Sequence, residues 1–224
     1  MDLLGYTPKY ITFDCYGTLT NFQMTETVLP LIADRIAPED TPTFIKDFRA
    51  YRIDEVIGEY KPYQQVLRDS WQRACNRWRI QYRAGDADTI VEAVGSWGPH
   101  PEVPEALGKL AAAYPLVILS NAADAMFRNN VEQLGVDFHR VFTAEQAGAY
   151  KPRYRAFEYM LDQLGAERDE ILHVSSHIWY DVIPAHELRI RHKVYVNRGY
   201  DPSVPFYEYA ETTDLAGVPP LLGL

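Results

Sequence analysis

The sequence contains only two cysteines among its 224 residues, Cys15 and Cys75. Two thiols without a repeated spacing exclude a disulfide-stapled scaffold and a cysteine-based zinc site. Long hydrophobic runs are also missing, since no stretch approaches the roughly 20 residues that a membrane-spanning helix needs. The first residues lack the basic start and apolar centre of a secretory signal. We therefore expect a cytoplasmic protein with no membrane partner.

Basic residues are fewer than acidic ones, with 22 Lys and Arg against 31 Asp and Glu and a formal net charge of −9. No basic cluster is large enough to follow a nucleic-acid backbone, so nucleic acid is not an expected partner. The composition is that of a globular protein, 47% hydrophobic and 24% charged. A chain of this length can bury a large core and enclose a dry active site.

Residues 11–20, ITFDCYGTLT, are the most informative segment. An apolar strand delivers Asp14 into a tight turn at Gly17, because glycine tolerates backbone conformations that other residues avoid. Such a turn displays the carboxylate beside backbone amides, as a nucleophile requires. Two other interpretations stay open from these residues alone. Asp14 is then a simple cap of the following turn, or Cys15 is the reactive thiolate.

The chain divides into a helical block and an alternating block. Between about residues 24 and 96 the apolar positions recur at helix spacing, and residues 95–101, GSWGPHP, mark a return to the main body. We predict a helical cap domain over residues 22–98, inserted into a core domain of residues 1–21 and 99–224. Alternating strands and helices in the core predict an α/β fold, a Rossmann-like parallel sheet with helices on both faces.

The predicted strands and helices locate the site. The strands cover residues 9–14, 116–119, 141–142, 171–174 and 193–196, and the core helices cover residues 103–114, 123–134, 155–164 and 181–188. Ligands of such sheets bind at the carboxyl ends of the strands. The polar residues that follow these strands therefore define the candidate site.

Three further segments carry polar side chains after a strand or an apolar run. They contain Ser120 with Asn121, Lys151 before a proline, and the turn residues Ser175, Ser176, His177 and Asp181. A hydroxyl and an amide beside a helix start can hold an oxyanion without any net positive charge. Taken one at a time, each of these groups is equally explained as a helix cap or a surface residue.

Together with the Asp14 turn, these segments resemble the haloacid dehalogenase superfamily in order and residue type, over nearly the whole chain. Phosphatases of that superfamily carry a second Asp two residues after the nucleophile, where this chain has Tyr16. They bind magnesium through a carboxylate at the position of Ser176. The pattern instead resembles the 2-haloacid dehalogenases, which work without a cofactor. We therefore expect neither a metal nor a cofactor.

The resemblance implies a hydrolase that converts short 2-haloalkanoic acids, haloacetates and fluoroacetate among them, to 2-hydroxy acids. The Asp14 carboxylate would displace halide and form an aspartyl ester, which water then opens. The family pattern makes Lys151 the charge partner of Asp14. It makes Asp181 the group that positions Lys151 and helps to activate the water. Thr18 and Ser175 would orient the nucleophile and its neighbours by hydrogen bonds.

The resemblance also implies a small carboxylate substrate and a set of binding residues for it: Cys15, Tyr16, Phe48, Arg49, Ser120, Asn121, His177 and Trp179. Ser120 and the amides of the nucleophile turn would hold the substrate carboxylate. Phe48 and Arg49 resemble the family's aromatic–arginine pair that receives the halide, with Arg52 as a rival on the same helix face.

Some positions depart from the best-known dehalogenases. His177 replaces an Asn, Phe157 replaces a Tyr, and the last turn holds one extra residue before Asp181. A histidine that titrates near neutrality can donate a hydrogen bond to a poor leaving group, such as fluoride or an amine nitrogen.

The alternatives are therefore a hydrolase that opens a strained ring amino acid such as azetidine-2-carboxylate through the same Asp14 ester, a magnesium-dependent phosphatase, and a binding module without turnover. The resemblance also allows a homodimer, since relatives commonly pair; the many aromatic residues are equally explained by the core and the cap.

Overall fold

A computed structural model describes residues 3–224; Met1 and Asp2, which fall in the predicted core domain, lie outside the described residues. The strands are β1 (Tyr10–Phe13), β2 (Leu116–Ser120), β3 (Arg140–Thr143), β4 (Ile171–Ser175), β5 (His192–Val196) and β6 (Ala210–Thr212). They form one parallel sheet in the order β3-β2-β1-β4-β5-β6. The predicted parallel α/β sheet is confirmed.

The central strand of the sheet is β1, which leads directly into Asp14. Phe13 of β1 lies opposite Ile118 of β2 on one side and Val174 of β4 on the other. Because the strand order runs outward from β1 in both directions, a crevice opens at its carboxyl end. The polar residues that follow β1, β2 and β4 therefore meet at one edge of the sheet.

The helices of residues 22–98, called the helical insertion below, are α1 (Met24–Ile32), α2 (Thr41–Ile57), α3 (Tyr63–Trp78) and α4 (Ala84–Val94). The later helices are α5 (Val103–Ala111), α6 (Asp124–Glu132), α7 (Ala144–Ala147), α8 (Tyr154–Leu164), α9 (Ile183–Glu187) and α10 (Val218–Leu221). Within residues 3–224 no helix combines the length and apolar character needed to cross a membrane.

The helical insertion has its own apolar interior. The ring of Trp71 on α3 is fully buried and meets the rings of Phe44 and Phe48 on α2, with centroids 5.7 and 5.4 Å apart. Aromatic pairs at these separations add to the stabilisation that burial provides. Helices α2 and α3 are therefore held together independently of the sheet.

Helices cover both faces of the sheet, and neighbouring residues of β2 show this directly. Leu116 and Ile118 join the apolar cluster that includes α5, whereas Val117 and Leu119 join the cluster that includes α8. Strands buried on both faces read as continuous apolar runs, which made β2 and β4 visible in the sequence. Strand β6 was not predicted, because its three residues, AET, form no apolar run.

Candidate active site

Asp14 opens the nucleophile turn directly after β1. Its backbone amide donates to the Val174 carbonyl (3.0 Å), and the Cys15 carbonyl accepts from three successive amides, those of Thr18, Leu19 and Thr20. Gly17 lies at φ +87°, a left-handed conformation that glycine adopts without strain. These bonds fix the turn, so the Asp14 carboxylate, only 4% exposed, has a defined direction.

Lys151 is the cation of the site. Its Nζ lies 2.8 Å from Asp14 Oδ1, 2.7 Å from Asp181 Oδ1 and 2.8 Å from the Leu119 carbonyl oxygen, so all three ammonium protons are used. The side chain is 1% exposed. Burial acts to lower the pKa of Lys151, but Asp14 and Asp181 raise it above its usual value. Lys151 therefore remains an ammonium ion between two carboxylates.

The Asn121 side chain fixes the backbone of Lys151 through two hydrogen bonds. The Asn121 side chain donates to the Lys151 carbonyl (2.9 Å) and accepts from the Lys151 amide (2.7 Å). Because both halves of the amide are engaged, the backbone of the lysine segment is held to the end of β2. Ser120, the last residue of β2, is buried, and its Oγ has no hydrogen-bond partner in the described part of the chain.

Asp181 lies on a π-helical turn, Ile178–Val182, rather than at the start of the predicted helix 181–188. The Val182 amide donates to His177 O and the Ile183 amide to Ile178 O, each five residues back. One extra residue in a helical turn produces this geometry, which is common at functional sites. The extra residue noted before Asp181 is thus absorbed without moving its carboxylate away from Lys151.

The π turn also decides which aromatic residue meets the cavity. Tyr180 lines the cavity described below, whereas the predicted binding residue Trp179 does not line it and is 37% exposed.

The contacts of Asp181 are uneven between its two oxygens. Oδ1 meets Lys151 and lies 3.0 Å from His173 Nε2, and His173 Nδ1 lies 2.8 Å from Thr12 Oγ1. Oδ2 is buried and has no hydrogen-bond partner among residues 3–224. Burial acts to raise the pKa of Asp181, but Lys151 and His173 lower it. The free oxygen is thus a buried acceptor on an ionised carboxylate.

Thr18 and the two serines link the nucleophile turn to β4. Thr18 Oγ1 donates to Asp14 Oδ2 (2.6 Å) and accepts from the Ser176 amide (2.8 Å). Since its proton is used on Asp14, the Ser176 hydroxyl at 3.0 Å is the donor to Thr18. Ser175 Oγ accepts from the His177 amide (3.0 Å). Both serines act through hydrogen bonds within the protein.

A cavity of about 180 Å³ opens above Asp14. Its lining residues are Asp14, Tyr16, Phe22, Met24, Thr25, Ile45, Arg49, Arg52, Val56, Tyr63, Val66, Asn121, Lys151, His177, Tyr180 and Tyr200. Most of the walls are apolar or aromatic and come from the helical insertion, whereas the reactive groups come from the strand ends.

The two candidate arginines of α2 differ in their surroundings. Arg52 is half-buried, with its Nε shielded from solvent. Its guanidinium lies 5.4 and 5.1 Å from the ring centres of Phe22 and Phe48, and it has no ion pair or hydrogen bond in the described range. Burial lowers its pKa from the usual value. Arg49 is 46% exposed and pairs with Asp201 at 2.8 Å. Arg52 is thus the unpaired cation at the cavity.

Phe48, Cys15 and Ser120 were predicted to bind substrate, but none of the three side chains lines the cavity. Phe48 packs inside the helical insertion, where the guanidinium of Arg52 lies over the face of its ring. Cys15 is fully buried. Burial and the neighbouring Asp14 raise the pKa of its thiol well above the usual range. The thiol is therefore protonated, which argues against Cys15 as a thiolate nucleophile.

His177, which follows β4, packs against the nucleophile turn. Its ring stacks on Tyr200, with centroids 5.2 Å apart, and its Nε2 is 3.2 Å from the Tyr16 carbonyl oxygen. A Cβ on residue 17 would come within 2.9 Å of His177 Nε2. The glycine is therefore needed both for its backbone conformation and for the approach of the imidazole.

Sequence reasoning missed several residues at the site, namely Tyr63, His173, Tyr180, Tyr200 and Asp201. Tyr200 and Asp201 had a usable signal, because they belong to the polar segment after predicted strand 193–196. The rule that located the other strand ends applies there as well. Tyr63 had none, since a tyrosine in an amphipathic helix is usually a core residue.

The residues present do not form a magnesium site. Within the described residues there is no group of three or more His, Cys, Asp or Glu side chains that could hold a metal ion. Ser176 supplies a hydroxyl bonded to Thr18 rather than a carboxylate, and one oxygen of both Asp14 and Asp181 is already taken by the Lys151 ammonium. Mg²⁺ prefers several hard oxygen ligands in octahedral geometry, which this donor set lacks.

A comparison with models of known protein families identifies the family of this chain. The model of the haloacid dehalogenase-like hydrolases matches residues 8–188, which include Asp14, Lys151 and Asp181. The chain belongs to this family. The match spans the helical insertion as well as most of the sheet, so the resemblance noted in the sequence is confirmed at family level.

Individual relatives of this haloacid dehalogenase-like hydrolase are distant. It is 28% identical over 158 residues to (S)-2-haloacid dehalogenase 4A of Burkholderia cepacia, which covers 69% of this chain and 67% of that one. It is 30% identical over 127 residues to haloacetate dehalogenase H-2 of Moraxella sp. strain B. That match covers 55% of this chain and 57% of the Moraxella enzyme.

Solved structures show the same fold. A dehalogenase crystallised as an intermediate complex has a TM-score of 0.82 with 24% identity, covering 100% of this chain and 99% of that one. An L-2-haloacid dehalogenase from Xanthobacter autotrophicus with covalently bound chloropropionic acid has a TM-score of 0.76 with 19% identity. It covers 96% of this chain and 98% of that chain.

Proposed function

We propose that the chain is a cofactor-independent 2-haloacid dehalogenase that hydrolyses short 2-haloalkanoic acids to 2-hydroxy acids. One observation supports this most directly. The Asp14 carboxylate is paired with a fixed ammonium ion at the floor of an apolar cavity, and a second cation of that cavity, Arg52, has no acid partner in the described chain. A nucleophile, a charge partner and an unused anion receptor are thus placed together.

In the first step, a carboxylate oxygen of Asp14 forms a bond to the halogen-bearing carbon, and the carbon–halogen electron pair leaves with the halide. Arg52 receives the halide, because an unpaired guanidinium between apolar walls attracts an anion strongly. The amides of the nucleophile turn and the Ser120 hydroxyl hold the substrate carboxylate in this proposal, although the Ser120 side chain is buried outside the set of residues that lines the cavity. A bound carboxylate would satisfy the Ser120 oxygen, which is costly to leave unpaired when buried.

In the second step, water attacks the ester carbonyl carbon of Asp14. The unpaired Oδ2 of Asp181 accepts the proton of that water, while Oδ1 stays on Lys151. The bond between Asp14 Cγ and the ester oxygen then breaks. That oxygen stays on the substrate carbon, takes the proton from Asp181 and leaves as the hydroxyl of the 2-hydroxy acid, while the oxygen of the water remains in the restored Asp14 carboxylate. Lys151 keeps its charge throughout, since its three protons are held by fixed acceptors.

Cavity size supports a short substrate. An apolar cavity of about 150 Å³ holds benzene, a molecule of six non-hydrogen atoms. By that scale the 180 Å³ cavity accommodates about seven such atoms. Chloroacetate, 2-chloropropanoate and 2-chlorobutanoate fall within this limit, and fluoroacetate is the smallest member of the series.

We propose in addition that the helical insertion acts as a cap domain over residues 22–98. It supplies the apolar walls of the cavity and the cation Arg52, whereas the strand ends supply Asp14 and Lys151. Excluding water in this way strengthens the electrostatic contacts inside the site.

A single turnover in H₂¹⁸O, with enzyme in excess over 2-chloropropanoate, tests the ester mechanism. Water that attacks the ester carbonyl leaves ¹⁸O in the Asp14 carboxylate, so mass spectrometry should find the label in the peptide that contains residue 14. Label that enters the hydroxy acid directly would contradict the ester. Parallel assays with fluoroacetate, azetidine-2-carboxylate and an aryl phosphate plus Mg²⁺ identify the alternative substrate, if one of these is turned over instead.

Substituting each arginine of α2 separately tests which of them receives the halide. Arg52→Met is expected to lower kcat/KM by about 10²- to 10³-fold, because a charge-stabilising group is lost. The free energy of unfolding of this variant should be unchanged or higher, since an unpaired, partly buried charge is removed. Arg49→Met should cost less than about tenfold, as expected for a half-exposed ion pair. Equal losses in both variants would contradict this assignment, with halide release as the measurement.

A further inference from the structure

The Asp201 carboxylate joins α2 of the helical insertion to the turn that follows β4. Its side chain is 13% exposed and lies in the loop after β5. Oδ1 accepts from Arg49 of α2 (2.8 Å), and Oδ2 accepts from the Ile178 amide (3.1 Å). Oδ2 also faces His177 Nδ1 at 3.8 Å. The carboxylate is therefore held in a fixed position beside the imidazole.

The neighbours of the imidazole determine where its protons are. Nε2 lies 3.2 Å from the Tyr16 carbonyl oxygen, which can only accept, so Nε2 carries a proton. Nδ1 is buried without a hydrogen-bond partner in the described residues, and its 3.8 Å distance to Asp201 is too long for a hydrogen bond. A bare nitrogen there would direct its lone pair at a carboxylate. Protonation of Nδ1 replaces that repulsion by attraction.

The other charged groups near His177 favour the same state. Burial acts to lower its pKa, but Asp201, Asp14 and Asp181 together raise it above the usual value. The pKa of Asp201 itself is raised by burial, but His177 and Arg49 outweigh this effect and lower it to about 2. The remaining contacts of the ring are aromatic, with Tyr200 stacked on it and Tyr180 at its edge.

We propose that Asp201 is a positioning residue that holds His177 as an imidazolium on the nucleophile turn, with Arg49 as the competing cation on the same carboxylate. His177 then adds a fixed positive charge to the cavity wall beside Asp14, where an anionic substrate binds. The role of this charge in binding an anionic substrate rests on the proposed function. The protonation of His177 by itself does not. The departure from Asn to His at this position thereby has a defined electrostatic consequence.

The arrangement predicts opposite effects from two substitutions. Asp201→Asn removes the negative charge at Nδ1, so the His177 pKa should fall by about one unit or more. Arg49→Met removes the cation that shares the carboxylate, so the His177 pKa should rise. A role of Asp201 in structure alone would shift neither value in a predictable direction.

Histidine ¹³Cε1 NMR titration of the full-length protein measures these values without any substrate. The chain has six histidines, and His177→Gln identifies the resonance by its loss. The proposal requires a wild-type His177 pKa above the ordinary value of about 6.5, a lower value in Asp201→Asn and a higher one in Arg49→Met. A wild-type value at or below 6.5, or shifts of the same sign, would overturn it. If Asp201→Asn does not fold, the wild-type value and the Arg49→Met shift decide.

A pH profile of kcat/KM on 2-chloropropanoate tests the catalytic consequence. Because the charged imidazolium is lost as pH rises through its pKa, the alkaline limb should move to lower pH in Asp201→Asn and recover in Asp201→Glu. An unmoved limb would overturn the positioning role. If no haloacid is turned over while the NMR shifts hold, the proposed function fails and the imidazolium assignment stands.

Discussion

Asp14→Asn is expected to reduce haloacid turnover by about 10⁴-fold or more. The substitution keeps the size of the side chain and removes the anionic oxygen that attacks carbon, and losses of this order follow removal of a group that acts in the bond-making step. Halide release under substrate saturation measures the effect. The matched control is Asp88→Asn, which removes a surface carboxylate paired with Arg68 on the helical insertion.

The control should retain wild-type turnover, since an exposed ion pair contributes little to stability and nothing to the cavity. Circular dichroism of both variants shows whether each is folded. If a folded Asp14→Asn enzyme kept more than about a tenth of the wild-type rate, the nucleophile would have to be another residue, and the proposed function would be abandoned.

Lys151→Met is expected to remove activity and stability together. Two buried carboxylates, Asp14 and Asp181, lose the cation that lies 2.8 and 2.7 Å away. Breaking a buried ion pair on one side costs about 3–5 kcal/mol of unfolding free energy. Turnover should fall by about 10³-fold or more, because the charge that compensates Asp14 is gone. Urea unfolding and halide release measure the two effects.

The pH dependence of that stability loss gives a second test. Burial acts to raise the pKa of Asp181, and Lys151 opposes it, so without Lys151 the folded-state pKa of Asp181 should rise above its unfolded value. A raised pKa means that the stability deficit is greatest at neutral pH and shrinks as pH falls and Asp181 is protonated. Lys193→Met is the matched control, since Lys193 is equally buried and donates only to backbone carbonyls. Loss of turnover there would contradict a specific role for Lys151.

The strand ends could be predicted because their signal is local. A strand buried on both faces is a continuous apolar run, and Asp14, Ser120 and Ser175 each stand at or just after the end of one. The topology then brings these ends together at one edge of the sheet. Lys151 follows no strand directly, and only the family resemblance related it to Asp14.

The direction of side chains on α2 was harder to predict. Phe48 and Arg52 are four residues apart and share a face, so the guanidinium lies on the ring. Arg49 is turned away from that face toward Asp201. The choice between the two arginines depended on this distant carboxylate, which belongs to the loop after β5 and has no sequence relation to α2.

The π turn shows a different limit. An extra residue before Asp181 was evident in the sequence, but a loop bulge, a shifted helix start and a π turn all accommodate one residue. Hydrogen bonds five residues apart, seen only in three dimensions, place Tyr180 at the cavity and Trp179 at the surface. Trp179 and Tyr180 are both aromatic, so the sequence alone could not show which of them the cavity would meet.

The unpaired guanidinium of Arg52 links occupancy to folding. An unpaired, partly buried charge is unfavourable in the empty protein, and a bound anion removes that penalty in the native state alone. Any anion that fits will therefore shift the folding equilibrium toward the native form in proportion to its affinity. The unpaired charge that lowers the stability of the empty protein is thus the same feature that favours anion binding, as the proposed halide receptor requires.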